Sequence, residues 1–334
     1  MKETLYVLSG LLIFTTLAPH LPGKHWLIRV WEFPRVQQVV AMGVVLALWA
    51  ILPVSVDFFA AITIGILMAA GIYQLFWIIP YTSLWSAEVE RYSGKDDEAA
   101  TVSIMTSNVY MHNKNSAGLI NLVNKYQPDM LVTLETNQRW EDELAELHAD
   151  YPHRMACPLE NLYGMHLYSR LPFEKQQLRF VVEDGVPSMQ VDVLLGKQTV
   201  TMYFLHPKPP SPTENKTARP RDVELAIIGQ EIAKADNPVV VAGDLNDVAW
   251  SPTTREFREI SNALDPRIGR GFFNTFHAKY PLIRWPLDHV FHSKGFMLCD
   301  IKRLEGYGSD HFPLLTRLAL SPRNVSSSDR KTEK

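Results

Sequence analysis

The sequence predicts an α/β domain that follows three membrane-spanning helices. Two observations carry this prediction. Asp, Glu, Lys and Arg are missing from three long apolar stretches near the amino terminus of the 334-residue chain. From Thr101 onward, short apolar segments alternate with amphipathic ones, which is the pattern of strands and helices in a mixed sheet protein.

The three charge-free stretches lie between Glu3 and Lys24, between Arg35 and Asp57, and between Asp57 and Glu88. A helix needs about 20 apolar residues to cross a bilayer. Three stretches of that size are difficult to place in a soluble core, so we expect three transmembrane helices. A cleaved signal peptide at the first stretch and a two-helix hairpin are the alternatives.

Residues 1–87 are therefore predicted to form a membrane anchor. The segment GKHWLIRVWEFPR connects the first two stretches and alternates aromatic with basic residues. Aromatic rings and long cationic side chains both settle at the membrane–water interface, so we interpret this segment as interfacial; an ordinary polar loop is the alternative. The charged segment over residues 88–100 is predicted to be a linker.

Residues 101–320 form the predicted α/β domain. Strands are predicted, in order, at TVSIMTSNV, DMLVTLE, GMHLYSR, MQVDVLL, VTMYFLHP, PVVVAGDLN, WPLDHVFHS, FMLCDIKRL and FPLLTRLAL. Helices are predicted at SAGLINLVNKY, capped by Ser116, and at DVELAIIGQEIAKA. Another helix between them places Trp140 and Leu144 on one face. The polar tail, residues 321–334, is predicted to be disordered.

Composition excludes some classes of protein. The chain has 33 Lys and Arg against 36 Asp and Glu, for a formal net charge of −3. This is not the balance of a strongly basic nucleic-acid-binding protein, although a nuclease that concentrates positive charge locally is still compatible with it. Cys157 and Cys299 are the only cysteines, and no CxxC spacing typical of zinc or redox sites occurs.

Residues that can carry chemistry follow several predicted strands. Ligand sites commonly form where strand ends and loops converge. Carboxylate and amide oxygens are the ligands that Mg²⁺ prefers, and hydrolysis of a phosphodiester requires an activated water and neutralised phosphoryl oxygens. The candidates at strand ends or in the loops that follow are Asn108, Glu135, His206, Asp244, Asn246, Asp288, Asp310 and His311.

Read in order, the motifs SNV, TLET, YSRLP, LHPKPP, GDLND, PLDHVF and GSDHFP resemble the endonuclease/exonuclease/phosphatase superfamily. The resemblance covers roughly residues 101–320 and is of the deoxyribonuclease and neutral sphingomyelinase kind, in a membrane-anchored bacterial form. It implies a four-layer sandwich in which two packed β-sheets are flanked by helices. It also implies a metal-dependent hydrolase of phosphodiester bonds.

The same resemblance implies a metal site that binds Mg²⁺ or Mn²⁺. Glu135 is its expected main ligand, with Asn108 beside it. Asp310 is the expected second contributor. The absence of Cys and His spacing typical of zinc sites agrees with a hard cation held by oxygen ligands.

Five further roles follow from the resemblance. Asp244 is expected to hold the attacking water and Asn246 to donate to the phosphate. His311 is expected to act as a general base or a phosphate contact, with Asp288 fixing its tautomer. His206 completes the catalytic set, and a histidine at this position resembles the deoxyribonuclease and sphingomyelinase branches rather than the abasic-site endonucleases.

Two cations are expected beside the site. Arg170 in YSR is predicted to steady it from outside the catalytic set. Lys208 begins the loop HPKPPSPTENKTARPR, in which Lys216, Arg219 and Arg221 are further candidates for contacts with an anionic substrate.

Three functions are compatible with these residues. A nuclease is the preferred interpretation. A phosphodiesterase acting on phospholipid or sphingolipid head groups is the alternative that membrane attachment favours. A catalytically inactive, membrane-tethered binding protein is disfavoured because the whole set of catalytic residue types is present. The expected partners are a nucleic acid or phospholipid substrate and the lipid bilayer; no protein partner is predicted.

The expected location is the plasma (inner) membrane, with several passes. Lys24, Arg29 and Arg35 in the first loop favour a cytoplasmic position for that loop and for the catalytic domain. Resemblance to membrane-anchored relatives favours the extracytoplasmic side, which is the side we expect.

Overall fold

The computed structural model describes residues 1–94, 100–212 and 214–321. A helical amino-terminal region precedes two β-sheets that carry further helices. The α-helices are α1 (Lys2–Leu17), α2 (Trp26–Arg29), α3 (Arg35–Ile51), α4 (Phe58–Ile78), α5 (Ser116–Tyr126), α6 (Gln138–Glu143), α7 (Arg219–Ala233) and α8 (Pro252–Ser261). The strands are β1 (Thr101–Asn108), β2 (Met130–Leu134), β3 (His153–Cys157), β4 (Met165–Ser169), β5 (Phe173–Arg179), β6 (Ser188–Leu195), β7 (Gln198–Leu205), β8 (Val239–Asp244), β9 (Asp288–His292), β10 (Phe296–Arg303) and β11 (Leu314–Leu320).

The strands form two sheets. One sheet has six strands in the order β10-β11-β1-β2-β4-β3, and the other has five in the order β5-β6-β7-β8-β9. β1 is parallel to β2, and β7 is parallel to β8, whereas the other pairs are antiparallel. A parallel pair requires a crossover connection. Helix α5 supplies the crossover in the first sheet, and α7 supplies it in the second.

The two sheets pack face to face over one apolar core. Ile104 and Val132 from the first sheet belong to the same buried cluster as Val191 and Val240 from the second. A second cluster joins α5 and α6 to the outer face of the first sheet, and a third joins α7 and α8 to the second. The predicted arrangement of two packed sheets flanked by helices is thereby confirmed.

Two strands were not expected from the sequence, and both lie at sheet edges. β3 ends the six-stranded sheet and β5 ends the five-stranded sheet. Their side chains are half-buried or exposed along the whole strand. Polar, exposed edge strands discourage association with other chains, and their polarity conceals them from a search for apolar runs. One cap also differs, because Asn115 rather than Ser116 caps α5.

The amino-terminal helices differ from the prediction of three transmembrane spans. Helices do form in all three charge-free stretches. Among the described residues, only the helical segment Phe58–Tyr81 is long and apolar enough to cross a bilayer alone, and a second span exists only if the bent pair Trp26–Glu32 and Arg35–Ile51 is counted as one. With 16 and 17 residues, α1 and α3 are about 24–26 Å long, shorter than a hydrocarbon core of about 30 Å.

These helices nevertheless pack together and expose apolar side chains outward. Leu5, Met42 and Leu67 lie in a buried cluster shared by α1, α3 and α4. Many of their neighbours are exposed: Val7, Leu11, Phe14, Val40, Val44, Ile51, Phe58, Phe59, Ile62, Ile66, Ile72 and Phe76. An exposed apolar surface of this kind marks a contact with lipid or with another protein.

The segment predicted as a linker, residues 88–100, is packed against the sandwich over its described part. Val89 is buried in the core between the sheets, and the Tyr92 backbone N–H donates to the Leu298 carbonyl over 2.9 Å. Glu88 accepts two 2.6 Å hydrogen bonds from Arg258. Residues 88–94 of the segment predicted as a linker are thus held against the sandwich by an apolar side chain, a backbone hydrogen bond and a partly exposed ion pair. Residues 95–99 and the predicted disordered tail beyond residue 321 lie outside the described residues.

Candidate active site

The candidate site begins where β8 ends. Gly243 has φ +146°, and a Cβ atom there would come 2.0 Å from the Leu205 carbonyl oxygen of β7. Only glycine tolerates this approach of the two strands. The next residue, Asp244, is fully buried, so the glycine allows a carboxylate to project between the sheets at the end of a strand.

Asp288 and His311 converge on this carboxylate. Asp244 is paired with Asp288 in the antiparallel register of β8 and β9. The His311 imidazole lies 2.8 Å from Asp288 through Nδ1 and 3.6 Å from Asp244 through Nε2. All three side chains are buried. The predicted Asp288–His311 pair is therefore present as a hydrogen bond, with both ring nitrogens facing carboxylates.

Asn108 and Glu135 form the opposite wall, at the ends of the parallel strands β1 and β2. The Asn108 amide Nδ2 donates to Glu135 Oε1 over 2.8 Å and to Asp244 Oδ2 over 3.2 Å. Its Oδ1 accepts from the Tyr110 backbone N–H over 3.0 Å. The amide thus bridges carboxylates from the two sheets, which orients both of them.

Ser309 ties the GSDH turn to this wall. Its hydroxyl donates to the Asn108 carbonyl over 2.7 Å and accepts from the His311 backbone N–H over 3.0 Å. The preceding glycine, Gly308, has φ +110°. Asp310 lies half-buried between these groups, and its charge reaches Glu135 and His311. Ser309 was not singled out from the sequence, although a hydroxyl in a turn that presents Asp and His is a recognisable signal.

Two non-glycine residues of the site have left-handed backbone conformations. Glu135 has φ +61° and Asn246 has φ +52°. Such conformations cost of order 1–3 kcal/mol and are typical of functional sites. The Asn246 backbone N–H donates to Asp244 Oδ1 over 2.8 Å, and its Nδ2 donates to the Pro207 carbonyl over 3.0 Å. The strained loop is thus held by Asp244 itself.

His206 lies beyond Asp244, with Nε2 at 3.9 Å from Oδ2 of that residue. Its ring contacts the Tyr163 ring at 5.4 Å. Lys208 pairs with Glu183 over 2.8 Å and lies over the same tyrosine at 5.5 Å. The structure therefore places His206 in the site and Lys208 at its rim, and Tyr163 links them, a residue that the sequence analysis did not identify.

Arg170 is not at the site, which corrects one prediction. It follows Ser169, which pairs with Met130 at the start of β2, whereas Glu135 follows the other end of that strand. The Arg170 guanidinium donates to the Gln127 side chain and lies 4.9 Å from the Tyr151 ring centre. Arg170 lies opposite Asp129, six residues before Glu135. Because a strand rises about 3.3 Å per residue, Arg170 lies roughly 20 Å from Glu135 along the sheet.

Arg221 also differs from the sequence-based interpretation as a loop cation facing substrate. Its side chain is buried and lies 3.0 Å from Asp247. It also donates to the Asn246 carbonyl over 2.8 Å. Asp247 accepts a further hydrogen bond from the Ser251 hydroxyl over 2.7 Å. Arg221 therefore braces the GDLND loop from behind rather than contacting a substrate.

Burial and charge set the protonation of the central groups. Burial lowers the pKa of His311, but Asp288 and Asp244 more than offset it and raise the pKa to about 10. Burial raises the pKa of Asp244 to about 7, against the lowering effect of His311. It also raises the pKa of Glu135 to about 7 and lowers that of His206 to about 3. His311 is thus an imidazolium and His206 is neutral at neutral pH.

The sequence profile of the Endonuclease/Exonuclease/phosphatase family matches residues 105–311. The chain belongs to this family. The matched range contains every predicted catalytic and metal-binding residue, from Asn108 to His311. Members of the family are hydrolases of phosphate esters. A search of curated proteins found no match to the chain.

Solved structures of this family share the fold. D. rerio TDP2 in complex with a single-stranded DNA product is 16% identical and has a TM-score of 0.55 over 66% of this chain and 99% of its own. The endonuclease/exonuclease/phosphatase from Bacteroides vulgatus is 14% identical, with a TM-score of 0.54 over 66% and 99%. That from Beutenbergia cavernae is 18% identical, with a TM-score of 0.52 over 66% and 72%. Each likeness covers the sandwich and establishes its fold.

The donor set fits a divalent cation of the kind that such hydrolases use. Four carboxylates (Glu135, Asp244, Asp288 and Asp310) face a single imidazolium. Burial raises the pKa of Glu135, and among the described residues Asp288 Oδ1 is buried without a hydrogen-bond partner. A hard cation relieves such an excess of buried negative charge.

Two sets of possible metal ligands result. Asp244, Asp288 and His311 bring ligand atoms within 4.8 Å of one another, but His311 already has both ring nitrogens directed at the two carboxylates. Glu135 and Asp310 keep oxygens available at the other wall. The predicted ligand Asn108 presents its amide nitrogen to the carboxylates, so in this conformation it orients ligands rather than serving as one.

Proposed function

We propose that the protein is a membrane-anchored, divalent-cation-dependent phosphodiesterase. The observation that carries this proposal is the buried contact of His311 with Asp288 at 2.8 Å and with Asp244 at 3.6 Å, across from Glu135. The residues come from four strand ends on two sheets. Such a constellation has little structural purpose, because burying Asp244 and Asp288 with one imidazolium, beside the half-buried carboxylates of Glu135 and Asp310, is costly.

Glu135 and Asp310 are the residues that would hold the cation, with Asn108 fixing the position of the Glu135 carboxylate. A bound Mg²⁺ or Mn²⁺ supplies positive charge to the phosphoryl oxygens. Asn108 also donates to Asp244 over 3.2 Å, so it keeps the metal wall and the catalytic wall in register.

Residues of the chain itself carry out the remaining steps of the reaction. Asp244, whose pKa is raised to about 7 by burial, is suited to orient the attacking water and accept its proton. His311 is already an imidazolium in this environment, which favours its role as a phosphate contact over that of a base. Asp288 holds the His311 ring in place through the contact at Nδ1. Water adds to phosphorus, the bond to one ester oxygen breaks, and a phosphomonoester and an alcohol result.

The exposed apolar faces of α1, α3 and α4 support membrane attachment. One end of this bundle carries the ion pair Lys2–Asp57 at 2.7 Å. The 21 residues of α4 begin at that end and extend about 31 Å to the catalytic domain, which matches the hydrocarbon thickness of a bilayer. Helices α1 and α3, which are shorter, would reach across with local thinning or interfacial side chains.

Lys24, Arg29 and Arg35, which give the positive-inside count, have internal partners in the structure, namely Asp222, Glu32 and Gln74 respectively. These internal contacts weaken the positive-inside count as an argument that the catalytic domain lies in the cytoplasm. We propose the extracytoplasmic side, and protease protection of the catalytic domain in oriented vesicles tests it.

Nucleic acid remains the first hypothesis for the substrate, because the structure of D. rerio TDP2 holds a single-stranded DNA product on the same fold. Its electrostatic support is limited. Of the four cations in the 206–221 loop, Lys208 is paired with Glu183 and Arg221 with Asp247. Only Lys216 and Arg219 are exposed. A lipid head-group phosphodiester therefore remains the second candidate.

A parallel assay separates these hypotheses. The full-length protein in nanodiscs is incubated with Mg²⁺ against DNA, RNA and phospholipid, with EDTA as the metal-free control and Asp244→Asn as the inactive control. We expect Mg²⁺-dependent hydrolysis of one of the three classes. If the wild-type protein and Asp244→Asn hydrolyse all three equally slowly, the phosphodiesterase proposal is wrong and a binding role takes its place.

A further inference from the structure

A hairpin-like segment, Phe276–Trp285, projects from the catalytic domain beside the helical anchor. Phe276 donates to and accepts from Trp285 through the backbone, and the His277 N–H donates to the Ile283 carbonyl over 3.1 Å. Arg284 braces the segment by donating to the His277 and Ala278 carbonyls over 3.2 and 2.9 Å. The tip is therefore a fixed structure rather than a loose loop.

The tip of this segment is apolar and exposed. Leu282 is 84% exposed, Tyr280 is 57% exposed and Ile283 is 48% exposed. Lys279 beside them is exposed as well. One exposed leucine on a soluble surface needs no explanation. A contiguous group of aromatic, aliphatic and cationic side chains is the composition found at membrane–water interfaces.

The tip lies at the point where the anchor meets the catalytic domain. The Gln37 side chain donates to the Leu282 carbonyl over 3.0 Å, and the Phe33 and Trp285 rings are in contact at 5.7 Å. Gln37 belongs to the first turn of α3, and Val40, one turn further, begins the exposed apolar face of that helix. One turn is about 5 Å, so the tip is continuous with the surface that we assign to lipid.

The base of the segment lies on the active site. The Phe276 ring contacts the His311 ring at 5.0 Å. The Ala278 backbone N–H donates to the Asp310 carbonyl over 2.6 Å, and the Phe312 N–H donates to the Thr275 carbonyl over 2.9 Å. The same ten residues therefore connect the anchor's end of the molecule with the residues proposed to bind phosphate and metal.

We propose that Lys279–Ile283 lies in the head-group region of the bilayer as a second membrane contact, and that it holds the active site against the lipid surface so that the enzyme favours phosphodiesters carried by that surface. This inference rests on the proposed membrane attachment and phosphodiesterase activity. The partner is a phospholipid bilayer. Lys279 meets its anionic phosphates, and Tyr280, Leu282 and Ile283 meet the boundary with the acyl chains.

The depth of the tip can be measured directly in the full-length protein. The variant Leu282→Cys is made in a background with Cys157→Ser and Cys299→Ser, and a nitroxide label is attached to its single cysteine. The labelled protein is reconstituted in nanodiscs of phosphatidylcholine and phosphatidylglycerol. The matched control is Leu194→Cys, since Leu194 is also exposed but lies near the β6–β7 turn, at the end of the sheet away from the site. The measured quantity is the ratio of collision rates with oxygen and with a water-soluble nickel chelate.

We expect a severalfold higher oxygen-to-nickel ratio at Leu282 than at Leu194, because oxygen concentrates in the bilayer. Equal, water-like ratios at the two positions overturn the proposal. This outcome does not depend on catalysis, so it stands even if the protein hydrolyses no phosphodiester.

Substrate preference gives a second, independent readout. The double variant Leu282→Asp with Ile283→Asp and the control Leu194→Asp are compared on phospholipid in the nanodisc and on the soluble diester bis(p-nitrophenyl) phosphate. We expect the double variant to lower the lipid-to-soluble rate ratio at least tenfold, and the control to leave it unchanged. An unchanged ratio in the double variant, or a wild-type enzyme that cleaves DNA and leaves lipid intact, overturns the preference for a surface-borne substrate. If the wild-type protein hydrolyses neither substrate, the proposal that it is a phosphodiesterase is itself wrong.

Discussion

The sandwich and the helical anchor use the same apolar residue types in opposite ways. In the sandwich, Val240 and Val132 face inward and are fully buried between two sheets. In the anchor, Val40 and Val44 face outward and are exposed on α3. The sandwich therefore carries its own apolar core, whereas the helical region leaves an apolar surface for lipid or another protein to cover.

The boundary between the two regions combines an apolar cluster, which includes Ile78 and Trp250, with polar contacts close to the active site. Arg29 of the interfacial helix α2 pairs with Glu32 and donates to Thr253. Thr253 donates to Asp222, which also pairs with Lys24. Asp222 is next to Arg221, the residue that braces the loop after β8. The amino-terminal region is thus joined to the catalytic loop by the partly exposed ion pair Lys24–Asp222 and by the buried hydrogen bond from Arg29 to Thr253.

The largest expected effect tests the site itself. His311→Ala and Asp288→Asn should each lower kcat by about 10² to 10⁴. The double variant should lose little more than the worse single variant, since groups that act as a unit are not additive. Single-turnover kinetics measure all three. Both residues are buried, so melting curves are needed to exclude unfolding. Losses that multiply fully in folded proteins would show that Asp288 does not act through His311.

The next effect tests the boundary. Arg221→Ala leaves the buried Asp247 carboxylate without its guanidinium at 3.0 Å. Removing one partner of a buried ion pair costs about 3–5 kcal/mol, or roughly 6–20 °C in Tm for a domain of this size. Arg219→Ala, at an exposed position two residues earlier, is the matched control. If the two variants melt at the same temperature, Arg221 does not brace the loop.

A smaller effect tests the outward face of the anchor. Val44 lies near the middle of α3 and is 54% exposed. Val44→Asp should weaken membrane integration by about 2.5–3.5 kcal/mol, visible as protein released by carbonate extraction. Val44→Ala should remain in the membrane fraction. Equal retention of both variants would mean that this face of α3 does not meet lipid.

The smallest effect concerns pH and stability in the sandwich. Burial raises the pKa of Glu224 in α7 from 4.5 to about 8. The folded state therefore holds a proton that the unfolded state has released, so the contribution of this group to stability is greatest below pH 4.5 and falls as pH rises to about 8. The loss is at most about 1.4 kcal/mol per pH unit. Glu224→Gln should flatten this slope in denaturant unfolding, and exposed Glu256→Gln should leave it intact. If the slope is unaltered in Glu224→Gln, a group other than Glu224 causes the loss of stability with rising pH.

The central strands and the site could be predicted from sequence because their signals are local and strong. Apolar or alternating runs identify β1, β2, β7 and β8. Each run ends in, or is followed at once by, a residue that faces the site. Edge strands β3 and β5 escaped detection because their side chains are mostly polar and exposed, so that neither gives an apolar run. Apolar length alone also overstated the spans, because helix ends depend on prolines and polar groups that hydropathy averages conceal.

Roles that depend on three-dimensional neighbours could not be predicted. Arg170 and Arg221 are both arginines near site motifs in the sequence. One lies at the far end of β4, and the other is buried behind Asn246, because strand direction and helix packing decide these positions. The exposed tip at Leu282 could not be distinguished in sequence from a buried turn. The structure relates it to the amino-terminal helices through the hydrogen bond from Gln37 to the Leu282 carbonyl and the contact between the Phe33 and Trp285 rings.

The dependence of activity on a divalent cation tests the account most directly. The full-length protein in nanodiscs is stripped with EDTA, and hydrolysis of bis(p-nitrophenyl) phosphate is followed as Mg²⁺ or Mn²⁺ is restored. We predict no hydrolysis in EDTA, recovery with either ion, a higher ion requirement in Glu135→Gln and no recovery in Asp244→Asn. Full activity in EDTA, or equal activity in Asp244→Asn and the wild-type protein, would contradict the proposed metal-dependent phosphodiesterase.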